Sequence, residues 1–117
     1  MAIRFFTSNP TSLLALFNQR IAQTEQKGKI TTWVRHSGDN HYTHISNQWR
    51  NKAFLKPTVY DEKLVFNIIA PEGQSVSVVT YGFYHGHIIE TFLNHFDDNF
   101  ERSTATSKPT EKDMIKR

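Results

Sequence analysis

The spacing of apolar residues changes twice along this chain, and the two changes divide it into a helix, a sheet and a second helix. Between about residues 10 and 27, Leu13, Leu14, Phe17, Ile21 and Thr24 recur at the 3.6-residue interval of one helix face. Ser12, Gln19, Gln23 and Gln26 fall on the opposite side. Ser8 or Asn9 suits the cap, Pro10 the first turn and Gly28 the left-handed end.

From Lys29 to Tyr81 the period becomes two, with turn residues at the intervals of an antiparallel meander. The pattern predicts four strands, with room for a fifth. The first runs from Ile30 to Arg35, and the second from His41 to about Leu55, with a break near Ser46 and Asn47 and an end at Pro57. Leu64 to Ile69 follows, with Leu64, Phe66 and Ile68 on one face, and Ser75 to Thr80 closes the sheet. After Gly82 the helical period returns from about Tyr84 to Phe100, gathering Ile88, Ile89, Phe92, Leu93, Phe96 and Phe100 into one stripe.

The expected class is therefore α+β: an antiparallel four-stranded meander flanked by an N-terminal and a C-terminal helix packed on one face, the other face open. Residues 1–102 form this single domain. Residues 103–117, rich in Ser, Thr, Lys and Pro, read as a disordered basic tail, because they carry too little apolar surface to offset the entropy of ordering.

One hairpin stands out. With a turn at Ser37-Gly38-Asp39-Asn40, alternation puts Trp33, Arg35, Tyr42 and His44 on one side and Val34, Thr43 and Ile45 on the other. On the open face, those four side chains would make an aromatic and basic platform, extended by Arg50, Lys52, Phe54 and Lys56 of like parity. The competing account makes Trp33 part of the core.

Charge alters this picture less than the net +3 suggests. Residues 27–56 carry six Lys and Arg against one Asp, residues 57–101 carry one Lys against seven acids, and residues 102–117 carry five cations against two acids. The folded part is thus a dipole, better suited to orienting a partner than to gripping a polyanion. With no cysteine there is no disulfide, thiolate metal site or Cys nucleophile. The start MAIRFF is too short in apolar length for a signal peptide or a membrane span, so the expectation is a soluble, cytoplasmic protein.

Candidate chemistry is sparse. Of six histidines, His36 and His41 flank the hairpin turn and with Asp39 offer a chelating trio, while His44 points to the other face. His87 and His95 are eight residues apart on a helix, on the order of 12 Å, too far to share an ion. No metal site and no cofactor are expected. His87 and Glu90, three apart, could pair as acid and base beside Tyr84, but the chain holds no nucleophile elbow, zinc helix, P-loop or dinucleotide fingerprint. Tyr81-Gly82-Phe83-Tyr84-His85-Gly86-His87 reads as a constrained strand-to-helix junction at which Tyr81, Tyr84, His85 and His87 would meet a ligand or another chain.

The leading expectation is a small non-enzymatic adaptor, regulator or inhibitor, engaging a protein partner through Trp33, Arg35, Tyr42, His44, Arg50 and Lys52. Behind it stand nucleic-acid binding through residues 27–56 and the tail, a small enzyme built on His87 and Glu90, and self-association of the open face into a homodimer.

Overall fold

The computed structural model describes residues 2–36, 38, 40–110 and 113. In chain order the elements are β1 (Ala2–Phe6), α1 (Pro10–Ala22), β2 (Trp33–His36), β3 (His41–His44), β4 (Phe54–Val59), β5 (Lys63–Ile69), α2 (Val78–Phe96) and β6 (Arg102–Ala105). All six strands join one antiparallel sheet in the order β2-β3-β4-β5-β1-β6. The α+β class and the antiparallel sheet agree with the sequence, but the expected second strand from His41 to about Leu55 is two: β3 ends at His44, β4 begins at Phe54, and the chain turns back between them so that Tyr42 pairs with Leu55. Two more strands, β1 and β6, flank β5 on its other side. No helix among the described residues is long and apolar enough to cross a membrane.

Both helices lie on one face of the sheet. Phe17 of α1 packs on Tyr42 and Phe66, with ring centroids 4.7 and 5.9 Å away. Phe92 of α2 stacks on Phe5 at 4.2 Å and meets Phe17 at 5.0 Å. Leu64, Phe66 and Ile68 point into this core with no exposed surface, as their shared parity predicts.

The departures from the sequence reading have physical causes. Strand β1 was not anticipated, yet Ile3 and Phe5 are fully buried while Arg4 and Phe6 face the other way. Helix α1 stops at Ala22 rather than near residue 27, because the Gln23 side-chain amide donates to the carbonyls of Glu25 and Lys27, both at 2.9 Å, and folds the chain into a turn. Gly28, at φ 74°, serves that turn and not the helix end. Strand β4 continues through Pro57, which faces Phe66 across the ladder. That proline is tolerated because β3 meets β4 only at Tyr42 and Leu55, so no β3 carbonyl waits for its missing amide hydrogen.

The expected strand at residues 75–80 does not form. Ser77 caps α2 by accepting the Thr80 amide at 3.1 Å, and the helix begins at Val78. A well-placed cap there outweighs the β preference of Val78 and Val79.

The expected disordered tail is also corrected in its first part. Residues 102–105 pair with the outer edge of β1 (Phe6 with Arg102, Ile3 with Ala105), and Thr106 exchanges hydrogen bonds with Ala2 at 3.0 and 3.1 Å. Backbone pairing to an open strand edge needs little apolar payload, which is why composition alone gave the wrong reading. Glu111, Lys112 and residues 114–117 lie outside the described residues.

Candidate functional site

The hairpin register is the expected one: Trp33 faces His44, Arg35 faces Tyr42 and His36 faces His41. Its expected face is not. Trp33, Tyr42 and His44 lie beneath the helices at 2, 0 and 6 % exposure, so the platform is part of the core. Alternation fixes which residues share a side, but the helices cover the side with the larger rings because that removes most apolar area from water. The buried indole is satisfied as well, donating from Nε1 to Thr91 Oγ1 at 2.9 Å, which in turn donates to the His87 carbonyl at 2.9 Å. Arg35 remains exposed at the sheet edge, where Nε and Nη2 both reach Asn40 Oδ1, at 3.2 and 2.7 Å. Arg50 and Lys52 occupy the exposed turn after β3 and do not continue the sheet surface.

The presumed junction at residues 81–87 is helical throughout. Tyr81, Tyr84 and His85 are buried core residues of α2. Tyr84 hydroxyl donates to the Trp49 carbonyl and sits 3.0 Å from Thr43 Oγ1, tying the helix to the turn between β3 and β4. His87 joins the Trp33 neighbourhood. Its ring stacks on Phe83 at 5.1 Å, Phe83 stacks on Trp49 at 4.1 Å, and the His44 ring stands 4.6 Å from that of His87 at 76°.

Chemically this cluster is quiet. The Ser46 amide donates to His44 Nδ1 at 3.1 Å, so the neutral ring carries its proton on Nε2. Burial, and next the nearby His87, lower its pKa from 6.5 to about 4. At neutral pH His44 is uncharged and a weak base. His87 Nε2 lies 3.6 Å from Glu90 Oε1, the expected i, i+3 pair, on a partly exposed surface. A cleft of about 650 Å³ lies between the start of α1 and the turn after α2, and its lining includes neither His87 nor Glu90. Among the described residues no group of three or more His, Asp or Glu could hold a metal ion. His36 and His41 do stand opposite each other, while Asp39, the third member of the expected trio, lies outside the described residues.

The face away from the helices has a different character. Alternation and register place Arg4 of β1, Lys56 of β4, Lys63 of β5 and Arg102 of β6 on it together. None of the six strands contains Asp or Glu. The acids of the described chain sit in turns and at the C-terminal stretch, with Glu90 on the helix side; two of them reach the open face, Glu101 pairing with Arg102 at 3.9 Å and Asp113 accepting from Asn67 at 2.9 Å. Rings share this open face: His36 and His41 lie edge-on and tilted against half-buried Phe54, Arg102 covers Phe6 at 4.1 Å, and Lys63 Nζ is 5.3 Å from the Tyr60 ring. Phe54 and Lys56 thus reach the open face expected for them, without Trp33 and Tyr42. Arg4 was absent from the sequence reading; the signal for it was the alternation of Ile3 and Phe5 with Arg4 and Phe6.

No protein-family model, curated protein or solved structure matches this chain.

Proposed function

We propose that this is a non-enzymatic binding protein whose open sheet face takes a negatively charged macromolecular partner. The observation that supports the reading is the segregation of charge: Arg4, Lys56, Lys63 and Arg102 share one face of a sheet whose strands hold no acid, while both helices occupy the other. Clustered cations on a low-dielectric surface attract a polyanion far more than a net charge of +3 spread evenly would. The test is retention on a heparin matrix at low salt. The native chain is expected to bind and to elute as salt rises, and the double variant Lys56→Glu, Arg102→Glu to pass through. The same change of net charge at Arg50→Glu, Lys52→Glu should leave retention nearly intact. Equal behaviour of the two variants would show that this face is not the binding surface.

A second reading, a protein partner or a second copy, has its own support. On the outer side of α2, Val78, Val79 and Leu93 are 66, 71 and 51 % exposed. Gly82 and Gly86 lie on the same stripe, and a Cβ added at either would meet nothing within 4 Å. Glycine within a helix costs about 1 kcal/mol relative to Ala, and no packing among the described residues demands it here. The variant Gly82→Ala, Gly86→Ala should therefore stabilise the monomer by about 1–2 kcal/mol in urea unfolding. If another helix docks closely on this stripe, sedimentation should show weakened association of the variant; unchanged association would remove this second reading.

A further inference from the structure

The open face is uneven, and its unevenness narrows the partner; this inference rests on the reading of that face as an anion-binding surface. At the β2, β3 and β4 end it presents rings. His36 and His41 stand opposite each other, and both lie against Phe54 with centroids 5.4 and 6.4 Å away. At the β4, β5, β1 and β6 end it presents the cations. There Arg4, Tyr60, Lys63, Asn67 and Thr110 line a hollow of about 190 Å³. A guanidinium and an ammonium beside one small hollow suit the oxygens of a phosphodiester. Asp113 holds one side of this rim, accepting from Asn67 Nδ2 at 2.9 Å and from the Ile68 and Thr110 amides at 3.1 and 2.7 Å, so Arg4 and Lys63 supply the charge that meets an outside anion.

We infer that the partner of this face is a single-stranded nucleic acid, with phosphates along Lys56, Lys63 and Arg4 and bases against Phe54 and the two histidines. Both helices are on the opposite side, so neither is available here to enter a major groove. Rings lying on a sheet meet only bases that are already unstacked. An acidic peptide would engage the cations but draw nothing from three neighbouring rings. The crossing is short: Lys56 and Arg4 lie on strands two apart in the sheet, about 10 Å, so a few nucleotides span it.

The experiment is fluorescence anisotropy on the full chain with labelled oligo-U and oligo-dT of twelve nucleotides, the matching duplex, and polyglutamate of equal charge. Single strands should bind more tightly than either competitor. The logarithm of the affinity should fall with that of salt at a slope of about −2 for three neutralised phosphates, and Lys56→Ala should lower the slope by about 0.7. Phe54→Leu, which keeps the apolar packing but removes the ring, should weaken oligonucleotide binding about tenfold and leave polyglutamate unchanged. Equal binding of oligonucleotide and polyglutamate, insensitive to Phe54→Leu, would overturn the nucleic-acid inference while the anion-binding surface stands. Tighter binding of the duplex would overturn it as well. Binding of no anion at all would overturn both.

Discussion

Replacing Trp33 with Ala should cost about 3–5 kcal/mol of folding stability. The indole is 2 % exposed and meets His44, Tyr84 and His87 with ring centroids 5.3, 5.6 and 5.9 Å away. Its removal leaves a cavity at the one place where β2, β3 and α2 all touch it, and it also takes the donor from Thr91 Oγ1. Urea unfolding measures the loss directly, and the thermal midpoint should fall on the order of 10–20 °C. Trp33→Phe separates the two contributions, since it fills most of the volume but lacks the N–H; a cost near 1–2 kcal/mol is expected. A loss below 1 kcal/mol for Trp33→Ala would mean that the indole is not a core residue.

Acid should weaken the fold well before the carboxylates are neutralised. His44 has a folded pKa of about 4, against 6.5 in the unfolded chain, because burial and then His87 disfavour its charged form. The unfolded state therefore binds the proton first. Stability from this group is fully present above pH 6.5, declines as pH falls through the window and is lost below about 4. Over that window the loss should amount to about 2–3 kcal/mol. His95 is lowered by burial and then by Arg20, so it adds to the decline in the same direction. Denaturant titrations at intervals between pH 7 and pH 4 should show the fall, and His44→Gln should flatten most of it. An equally steep fall in that variant would assign the proton to another group.

Local pairing was legible in the sequence, and tertiary placement was not. The Trp33 to His44 register follows from a turn and a period of two, both contained within a dozen residues. Which side of that hairpin is covered depends on helices whose apolar stripes lie tens of residues away, so parity alone could not choose it. The same limit hid β1 and β6. Each is short: β1 is a strand because β5 and β6 flank it, and β6 because β1 offers it an edge. Ser75 to Thr80 failed for the opposite reason: a local cap at Ser77 decided the matter, and the alternation of valines was the weaker signal. Of the candidate site, Phe54 and Lys56 were placed on the open side. Arg4 and Arg102 needed the two unseen strands, and with them came the gathering of charge that composition had spread along the chain.

The position of β1 also sets a timetable for folding. Its inner neighbour β5 lies some sixty residues downstream, and its outer neighbour β6 about a hundred, with Ala2 bonded to Thr106 across a separation of 104 residues. While the chain is being synthesised, α1 and the β2 to β4 segment emerge before β1 has any strand to join. The edge of β1 that β6 covers stays bare longer still. A growing chain of this protein therefore carries an unpaired, apolar-faced strand until residues 63–69 have emerged, and the outer edge of that strand is sealed only once residues 102–105 follow.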